Sequence, residues 1–414
     1  MTKASGFDEL AVLAEMVFRK SAGDGTMRNT ITDFGTGKPL RIAYVLGGLP
    51  FGGIERWLLD VCINYKKSGL VTPRVFNISG LGFLMPNYEA AGIDVCNIGT
   101  SNRATSSHRL DIAVKLRCRL REFAPDIIHT MHFSANHLGR IAALHLGIPV
   151  IMHLHNTKRE HSLTRRLSDT LLSYATTRYL CVSKAVAEVA QMDHNRARRP
   201  VDVLYNAINP AMLEDVPLDI KGIFGVSGPY IVSVGRYVPQ KNLDLLVRAM
   251  AILRAKSIQA SLLLVGEGAE RIRAPLEALR DELGLADSVV FTGFRSDVAA
   301  FFKAAHVFAM PSAYEGFGIA HLEAMYCGLP AVLSPYVPSL EIASEACLVC
   351  DTTPEDIAAK LCSLLADEAL RRRLGESARR IAQSMTMEKY VVKLYHYYRA
   401  VLGKSAFPEH SAFS

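Results

Sequence analysis

No stretch of this chain approaches the ~18 consecutive apolar residues that a transmembrane helix needs, although half of its 414 residues are hydrophobic. Asp8, Glu9 and Glu15 interrupt the N-terminal stretch and argue against a secretory signal. Cysteine is sparse and scattered. Of eight, only Cys347 and Cys350 stand in Cys-x-x-Cys spacing, and a zinc site needs two further ligands. A reduced cytoplasmic protein is the expectation. No Asp-x-Asp occurs, which excludes the short acidic motif that holds a diphosphate through a metal. Gly266-Glu-Gly268 lacks the third glycine of a dinucleotide fingerprint, because Arg271 and Ile272 occupy its place, so a nicotinamide enzyme is not expected. Internal repeats and low-complexity tracts are absent too.

What is present is alternation. Apolar strands alternate with amphipathic helices, the pattern of doubly wound parallel sheets and an α/β fold. Residues 41–46, 73–78, 126–129, 149–154, 178–182 and 202–204 read as one sheet, and 230–234, 261–265, 288–291, 307–310, 330–333 and 347–350 as another. The glycine- and proline-rich stretch 216–229 reads as the linker between them. A chain of this length can bury two cores. The expected organisation is an extension over 1–39, a first Rossmann-like domain over 40–218, a second over 219–386, and a C-terminal helix and tail over 387–414. Phe7 to Phe18 could form a short amphipathic helix. Tyr390, Leu394, Tyr397, Tyr398 and Val401 give the last helix an apolar face that could pack on the first domain or on its own.

Two segments carry the chemistry. Ser233-Val-Gly235-Arg236-Tyr-Val-Pro-Gln-Lys241-Asn242 follows a strand and opens a helix, placing two cations where a pyrophosphate could meet helix N-termini. Glu315-Gly316-Phe317-Gly318-Ile-Ala-His-Leu-Glu323 is a glycine-hinged loop that opens another helix, with a carboxylate at each end. The glycines allow backbone N–H groups to face a ligand. A sugar leaving with a nucleoside diphosphate needs positive charge or oriented N–H donors at its phosphate oxygens. Arg236, Lys241 and the amides of Gly316 to Gly318 can supply both without a metal.

This pair of carboxylates, separated by seven residues, resembles the signature of retaining GT-B glycosyltransferases of family 4, the group 1 glycosyl transferases. The resemblance extends from Leu40 to about Leu402. It takes in Gly52-Gly53-Ile54-Glu55, Ser183-Lys184, Asn206, Gly266-Glu267-Gly268 and Phe291-Thr-Gly-Phe294. It implies two Rossmann-like domains facing a central cleft, with a nucleotide-sugar, UDP- or GDP-linked, as donor substrate and no cofactor. Arg236 and Lys241 would contact the diphosphate, Glu315 the sugar or its leaving phosphate, and Glu323 the ribose. Gly53, Gly235, Gly266 and Phe294 would line the donor site, and Gly52 would approach donor and acceptor. Ala207 and Asn209 depart from the family pattern, where glycine and aspartate are common. A glycan or lipid-linked acceptor in cell-envelope polysaccharide synthesis is the implied partner. The alternatives are a sugar-nucleotide epimerase or phosphorylase on the same architecture, or a sugar-binding scaffold, and the complete Arg236, Lys241, Glu315, Glu323 set argues against each.

Histidines cluster at strand ends. His129 and His132 close one strand and His153 and His155 the next, at the edge where open α/β sheets bind ligands. A metal cluster or hydrogen-bonding imidazoles would both fit that placement. The resemblance puts His155 near the transferred sugar and His132 at a less regular position.

Charge is uneven. Residues 1–220 hold 26 Lys and Arg against 20 Asp and Glu, a net of +6, and the remainder 21 against 20, a net of +1. Lys158, Arg159, Arg165 and Arg166 lie on a helix whose other face carries Leu163, Leu167, Leu171 and Tyr174, and Lys115, Arg117, Arg119 and Arg121 crowd another helix. Such faces suit an anionic membrane reached from the cytoplasmic side, and nucleic acid is not the expected partner.

Overall fold

The computed structural model describes residues 38–106, 109–157 and 163–405, so the extension's Phe7 to Phe18 and the basic pair Lys158 and Arg159 lie outside the described residues. The chain divides into two units: one runs up to Asn209 and resumes at Met387, the other is Pro210–Thr386.

The first unit holds a seven-stranded sheet in the order β3-β2-β1-β4-β5-β6-β7. Its strands are β1 (Leu40–Leu46), β2 (Val71–Asn77), β3 (Asp94–Asn97), β4 (Ile127–Met131), β5 (Val150–Leu154), β6 (Arg178–Cys181) and β7 (Val201–Val203), all paired in parallel. β1 and β4 are buried almost throughout, because helices cover both faces of a parallel sheet and leave no polar alternation. β3 is absent from the strands read in the sequence. It is a four-residue edge strand, Asp-Val-Cys-Asn, with exposed ends and no apolar run to betray it. Four helices matter below: α1 (Gly53–Ser68), α2 (Leu110–Phe123), α3 (Phe133–Ala143) and α4 (Leu163–Leu172).

The second unit holds a six-stranded parallel sheet in the order β10-β9-β8-β11-β12-β13. The strands are β8 (Tyr230–Val234), β9 (Ser261–Val265), β10 (Val289–Gly293), β11 (Val307–Met310), β12 (Ala331–Leu333) and β13 (Cys347–Val349). The stretch expected as a linker is part of this unit instead. It forms the short helix α5 (Ile220–Phe224), buries Ile220 and Val226 in the core beside Phe301 and Phe308, and ties Leu218 N–H to the Ala300 carbonyl at 3.2 Å. The division therefore falls at Asn209, ahead of the expected 218, because residues 210–218 have apolar partners here. Two further helices start beside the site: α6 (Leu243–Ala255) and α7 (Ile319–Tyr326).

The last helix, α8 (Met387–Val401), belongs to the first unit. Tyr390, Val391, Leu394, Tyr397 and Tyr398 enter the core that also contains Tyr44, Trp57 and Tyr65. Polar anchors fix its register: Tyr65 donates to the Val391 carbonyl at 3.0 Å, and Tyr397 donates to Asp202, itself paired with Arg178. Val401 is only half-buried.

Candidate active site

Each sheet reverses its strand order once, and ligands of open α/β sheets bind at the carboxyl ends of the strands beside that reversal. In the second unit the reversal lies between β8 and β11. The loops leaving these two strands are the two segments singled out in the sequence, and they are laced together. Gln240 donates to the Tyr314 carbonyl at 2.7 Å, Ala313 N–H donates to the Gln240 carbonyl at 2.8 Å, and Asn242 donates to the Pro311 carbonyl at 2.9 Å. Asn242 also adopts a left-handed conformation (φ 48°) at the start of α6, which asparagine tolerates better than most residues.

Across this seam Lys241 Nζ donates to Glu315 Oε1 at 2.6 Å, with both side chains largely buried. Gly235 (φ 153°) makes room for them: a Cβ there would lie 3.1 Å from Lys241 Cε. Gly266 (φ 139°) lies against Gly235 so closely that a Cβ would fall 2.1 Å from its carbonyl oxygen. Gly266 N–H in turn donates to the Gly293 carbonyl at 3.0 Å, bringing the loop that carries Phe294 alongside. Glu315, Gly316, Phe317 and Gly318 are all buried, and Gly318 (φ 101°) caps α7 without any side-chain cap. Glu323 is half-buried on α7, and Arg236 is exposed. The structure thus brings together Lys241, Glu315 and the glycines, and leaves Arg236 at the surface of the loop.

Ser312, which sequence reading did not single out, lies at the floor of the same crevice with Ser233, Gly235, Lys241 and Met310. Its hydroxyl is buried with no hydrogen-bond partner among the described residues. A serine three residues before Glu315 gives no local signal of such a position.

The first sheet reverses between β1 and β4, and here too a carboxylate faces a nitrogen base. Glu55 Oε1 lies 3.3 Å from His132 Nε2. Glu55 is buried and folds back over Gly52, where a Cβ would fall 2.3 Å from its other carboxylate oxygen. Gly52 caps α1, and the exposed Gly53 opens it. His132 holds a positive φ of 71° in front of α3. Such strain in a residue with a Cβ persists only where the surroundings impose it, and it concentrates at functional positions. Glu55 had been read only as part of the glycine loop.

Next along the sheet, His129, His153 and His155 adjoin one another. His129 Nε2 is 3.0 Å from His153 Nδ1, and the rings of His153 and His155 are 3.9 Å apart. Trp57 packs edge-on against both His153 and His155 and against Tyr390 of α8. Burial holds His129 down to about 3 and His153 well below the ordinary imidazole value. His155 is lowered by burial first and by neighbouring His132 and His129 second. These are neutral imidazoles. Among the described residues no group of three or more His, Cys, Asp or Glu is arranged to hold a metal ion.

Asn209 departs from the family pattern for a local reason. Its amide donates to Asp60 Oδ1 at 2.9 Å, and burial has already raised Asp60 to about 6. A second carboxylate there would face the first.

Comparison with known proteins identifies the family. Residues 221–381 match the family Glycosyl transferases group 1, and residues 51–212 match Glycosyltransferase Family 4. The chain is a group 1 glycosyltransferase. Its GT-B fold is shared with Anabaena HepE, solved in complex with UDP-glucose, at a TM-score of 0.75 and 22% identity over 88% of this chain and 100% of that one. Similar sequences include the 2-deoxystreptamine glucosyltransferase of Streptomyces kanamyceticus, 30% identical over 55% of this chain and 64% of that protein. Another is the Escherichia coli UDP-Gal:alpha-D-GlcNAc-diphosphoundecaprenol alpha-1,3-galactosyltransferase, 30% identical over 50% of this chain and 57% of that protein. The glycosyltransferase therefore has relatives whose acceptors differ.

Proposed function

We propose that this glycosyltransferase moves a hexose from a UDP- or GDP-linked donor to a hydroxyl of a glycan or lipid-linked acceptor, with retention of configuration and without a metal. The Lys241–Glu315 pair at the reversal of the second sheet carries the reading. It sets a cation and a carboxylate beside the start of α7, where the helix dipole and glycine amides favour an anion. HepE with UDP-glucose and the galactosyltransferase named for a UDP-sugar support such a donor.

In this scheme the bond from the anomeric carbon to the diphosphate oxygen breaks, and its electron pair stays with that oxygen. The acceptor oxygen forms the new bond on the same face, and its proton passes to the departing phosphate. Lys241, Arg236 and the α7 amides stabilise the growing charge, while Glu315 orients Lys241 and the sugar. Glu323 accepts from the ribose hydroxyls. His155 supplies a neutral imidazole to the sugar, and Gly53, with Gly52 and His132, lies toward the acceptor. Glu315, paired with Lys241 on the side of the leaving group, is given no nucleophilic role in this scheme, which favours same-face substitution.

The acceptor reading rests on a surface of the first unit. On the face of α4 opposite the basic residues, Leu167 and Leu171 are about two-thirds exposed (64% and 66%), as are Tyr174 (67%) and the neighbouring Met192 (57%). Arg166 on α4 and Arg196, Arg198 and Arg199 later in the chain are exposed, and Arg199 donates to the Tyr174 carbonyl at 3.1 Å. Exposed apolar side chains together with exposed cations fit the interface of an anionic membrane, and hence an enzyme that acts peripherally on its cytoplasmic face on envelope glycans. The row on α2 contributes less than its sequence implied. Arg117 turns inward to cap α3, donating to the Ile141 and Ala142 carbonyls at 3.1 Å. Among the described residues no helix is long and apolar enough to cross a membrane.

The test is nucleotide release from a panel of sugar nucleotides with lipid-linked acceptors. Release that depends on acceptor, with a glycosylated product of unchanged anomeric configuration, is the expected result. Sugar isomerisation without any glycosylated product would replace this reading with an epimerase.

A further inference from the structure

The turn that opens α7 is held from behind by the loop that follows β12. Ser334, the first residue of that loop, donates from its N–H to the Met310 carbonyl at 3.2 Å and from its hydroxyl to the Ser312 carbonyl at 2.5 Å. Further along, Ser339 N–H donates to the Phe317 carbonyl at 2.9 Å, and Ser339 Oγ lies 2.8 Å from Nδ1 of His321, in the first turn of α7. The side chains of Ser339 and His321 are fully buried. The loop packs so closely that a Cβ on Gly318 would fall 3.0 Å from Val337 Cγ1 and 3.3 Å from Ser339 Oγ.

A trans peptide unit points its carbonyl and its N–H in opposite directions. With the Phe317 carbonyl turned onto Ser339, the Gly318 N–H of the same unit faces away from the loop after β12. β11 stands between β12 and β8 in the sheet, so that direction is the side on which the loop after β8 brings Lys241. The N–H groups of a first helical turn have no intrahelical acceptor, and α7 has no side-chain cap to take their place.

His321 is a costly residue for its place. Its ring stacks beside Phe308, and its Nε2 is buried with no hydrogen-bond partner among the described residues, a penalty that a leucine would avoid. What the imidazole adds is the Nδ1 link to Ser339, and that link holds whichever of the two atoms donates. We propose that His321 and Ser339 are positioning residues: by fixing the Phe317 carbonyl they aim the Gly318 N–H at the anion that binds beside Lys241, a group of the pyrophosphate class. The identity of that anion as the diphosphate of a sugar nucleotide rests on the function proposed above; the direction of the amide does not.

Three substitutions separate this role from ordinary core packing. His321→Leu and Ser339→Ala cut the link from either side, and His321→Asn restores it, because an asparagine amide reaches the place that Nδ1 occupies. Titration calorimetry of the full chain compares UDP and GDP with uridine and guanosine, with inorganic pyrophosphate as a probe that carries no nucleoside. Both cutting variants are expected to bind pyrophosphate and the nucleoside diphosphate at least about tenfold more weakly, the worth of one hydrogen bond to a charged group, while affinity for the nucleoside changes less than about twofold. His321→Asn should recover most of the loss. Thermal melts confirm that the variants are folded, and Ser339→Ala, which removes a single hydroxyl, carries the test alone if His321→Leu does not fold. Pyrophosphate affinity equal in the wild type and Ser339→Ala would overturn the proposal, as would an equal loss of nucleoside affinity or a wild type that does not bind pyrophosphate. If pyrophosphate follows the expected pattern but no sugar nucleotide is turned over, the proposed function fails and the aim of the amide stands.

Discussion

Lys241 and Glu315, 74 residues apart in sequence, meet at 2.6 Å and close the seam between the loops that follow β8 and β11. An ammonium already held by a carboxylate cannot wander when the ligand departs, and the carboxylate limits how much charge an incoming diphosphate must neutralise. Glu55 and His132 repeat the arrangement at the reversal of the first sheet, with the imidazole in place of the ammonium.

The two partners of the seam should fail differently. Lys241→Ala is expected to lower turnover by about 100-fold or more, because it removes charge that is needed most in the transition state. Glu315→Ala should also be nearly inactive and additionally less stable, by about 3 kcal/mol, since it leaves a largely buried ammonium unpaired. Glu323→Gln should instead raise donor KM more than it lowers kcat. Steady-state kinetics with thermal melts of the three variants separate these outcomes, and normal activity in Lys241→Ala would remove the lysine from the site.

Metal independence is expected from the same charges. If Lys241, Arg236 and the α7 amides stabilise the leaving diphosphate, turnover survives EDTA. Activity that disappears on chelation and returns only with manganese or magnesium would require a different leaving-group chemistry.

Acid should unfold the protein steeply. His129, His153 and His321 are fully buried, and burial holds His129 and His321 down to about 3 and His153 well below its usual value. In the unfolded chain each titrates near 6.5, so below that pH the unfolded state binds protons that the native state does not. Their contribution is fully present above about pH 6.5 and is lost as pH falls, at about 1.4 kcal/mol per unit for each histidine. By about pH 5 that amounts to about 2 kcal/mol each. Melting temperatures across pH 5 to 7.5 check this, and a flat profile would mean that these imidazoles reach solvent.

How far the sequence revealed this arrangement depended on how local each signal was. The loops after β8 and β11 announce themselves because glycine, cation and carboxylate are clustered within ten residues. The buried hydrogen bonds that link Tyr44, Tyr398, His129 and His153 could not be read that way. His129 and Tyr398 are separated by 269 positions, and only the return of α8 to the first unit joins them. Stretch 216–229 misled for the opposite reason: its glycines and prolines hide Ile220 and Val226, two apolar residues too few to show a period but enough to dock. On α4 the helical period was legible, but periodicity gives one apolar face without saying whether anything covers it.

Asn209→Asp tests the local account of the departure from the family pattern. The aspartate would set a second carboxylate against Asp60, whose own value burial has raised to about 6 and which Asn209 now helps to offset. Above about pH 6 both ionise and repel, costing about 2 kcal/mol, whereas near pH 5 a shared proton relieves most of the penalty. A lower melting temperature at pH 8 that largely recovers at pH 5 is expected, and a uniform loss at both would point to packing instead of charge.

The exposed face of α4 gives the last prediction. Leu167, Leu171, Tyr174 and Met192 can enter the boundary between headgroups and acyl chains only if the exposed arginines are drawn to the same surface, so the two contributions should be separable. Liposome flotation is expected to recover the protein with anionic vesicles and not with neutral ones. Recovery should fall as salt rises, because exposed charges are screened within about 10 Å at 0.1 M. Charge reversal at Arg166 and Arg196 should abolish the preference for anionic lipid. Leu167→Ser with Leu171→Ser should weaken binding at every salt concentration while leaving the charge and the fold intact, because neither leucine contributes to the buried core. Equal indifference to both vesicle types would remove the membrane from this reading and leave a soluble glycan as the acceptor.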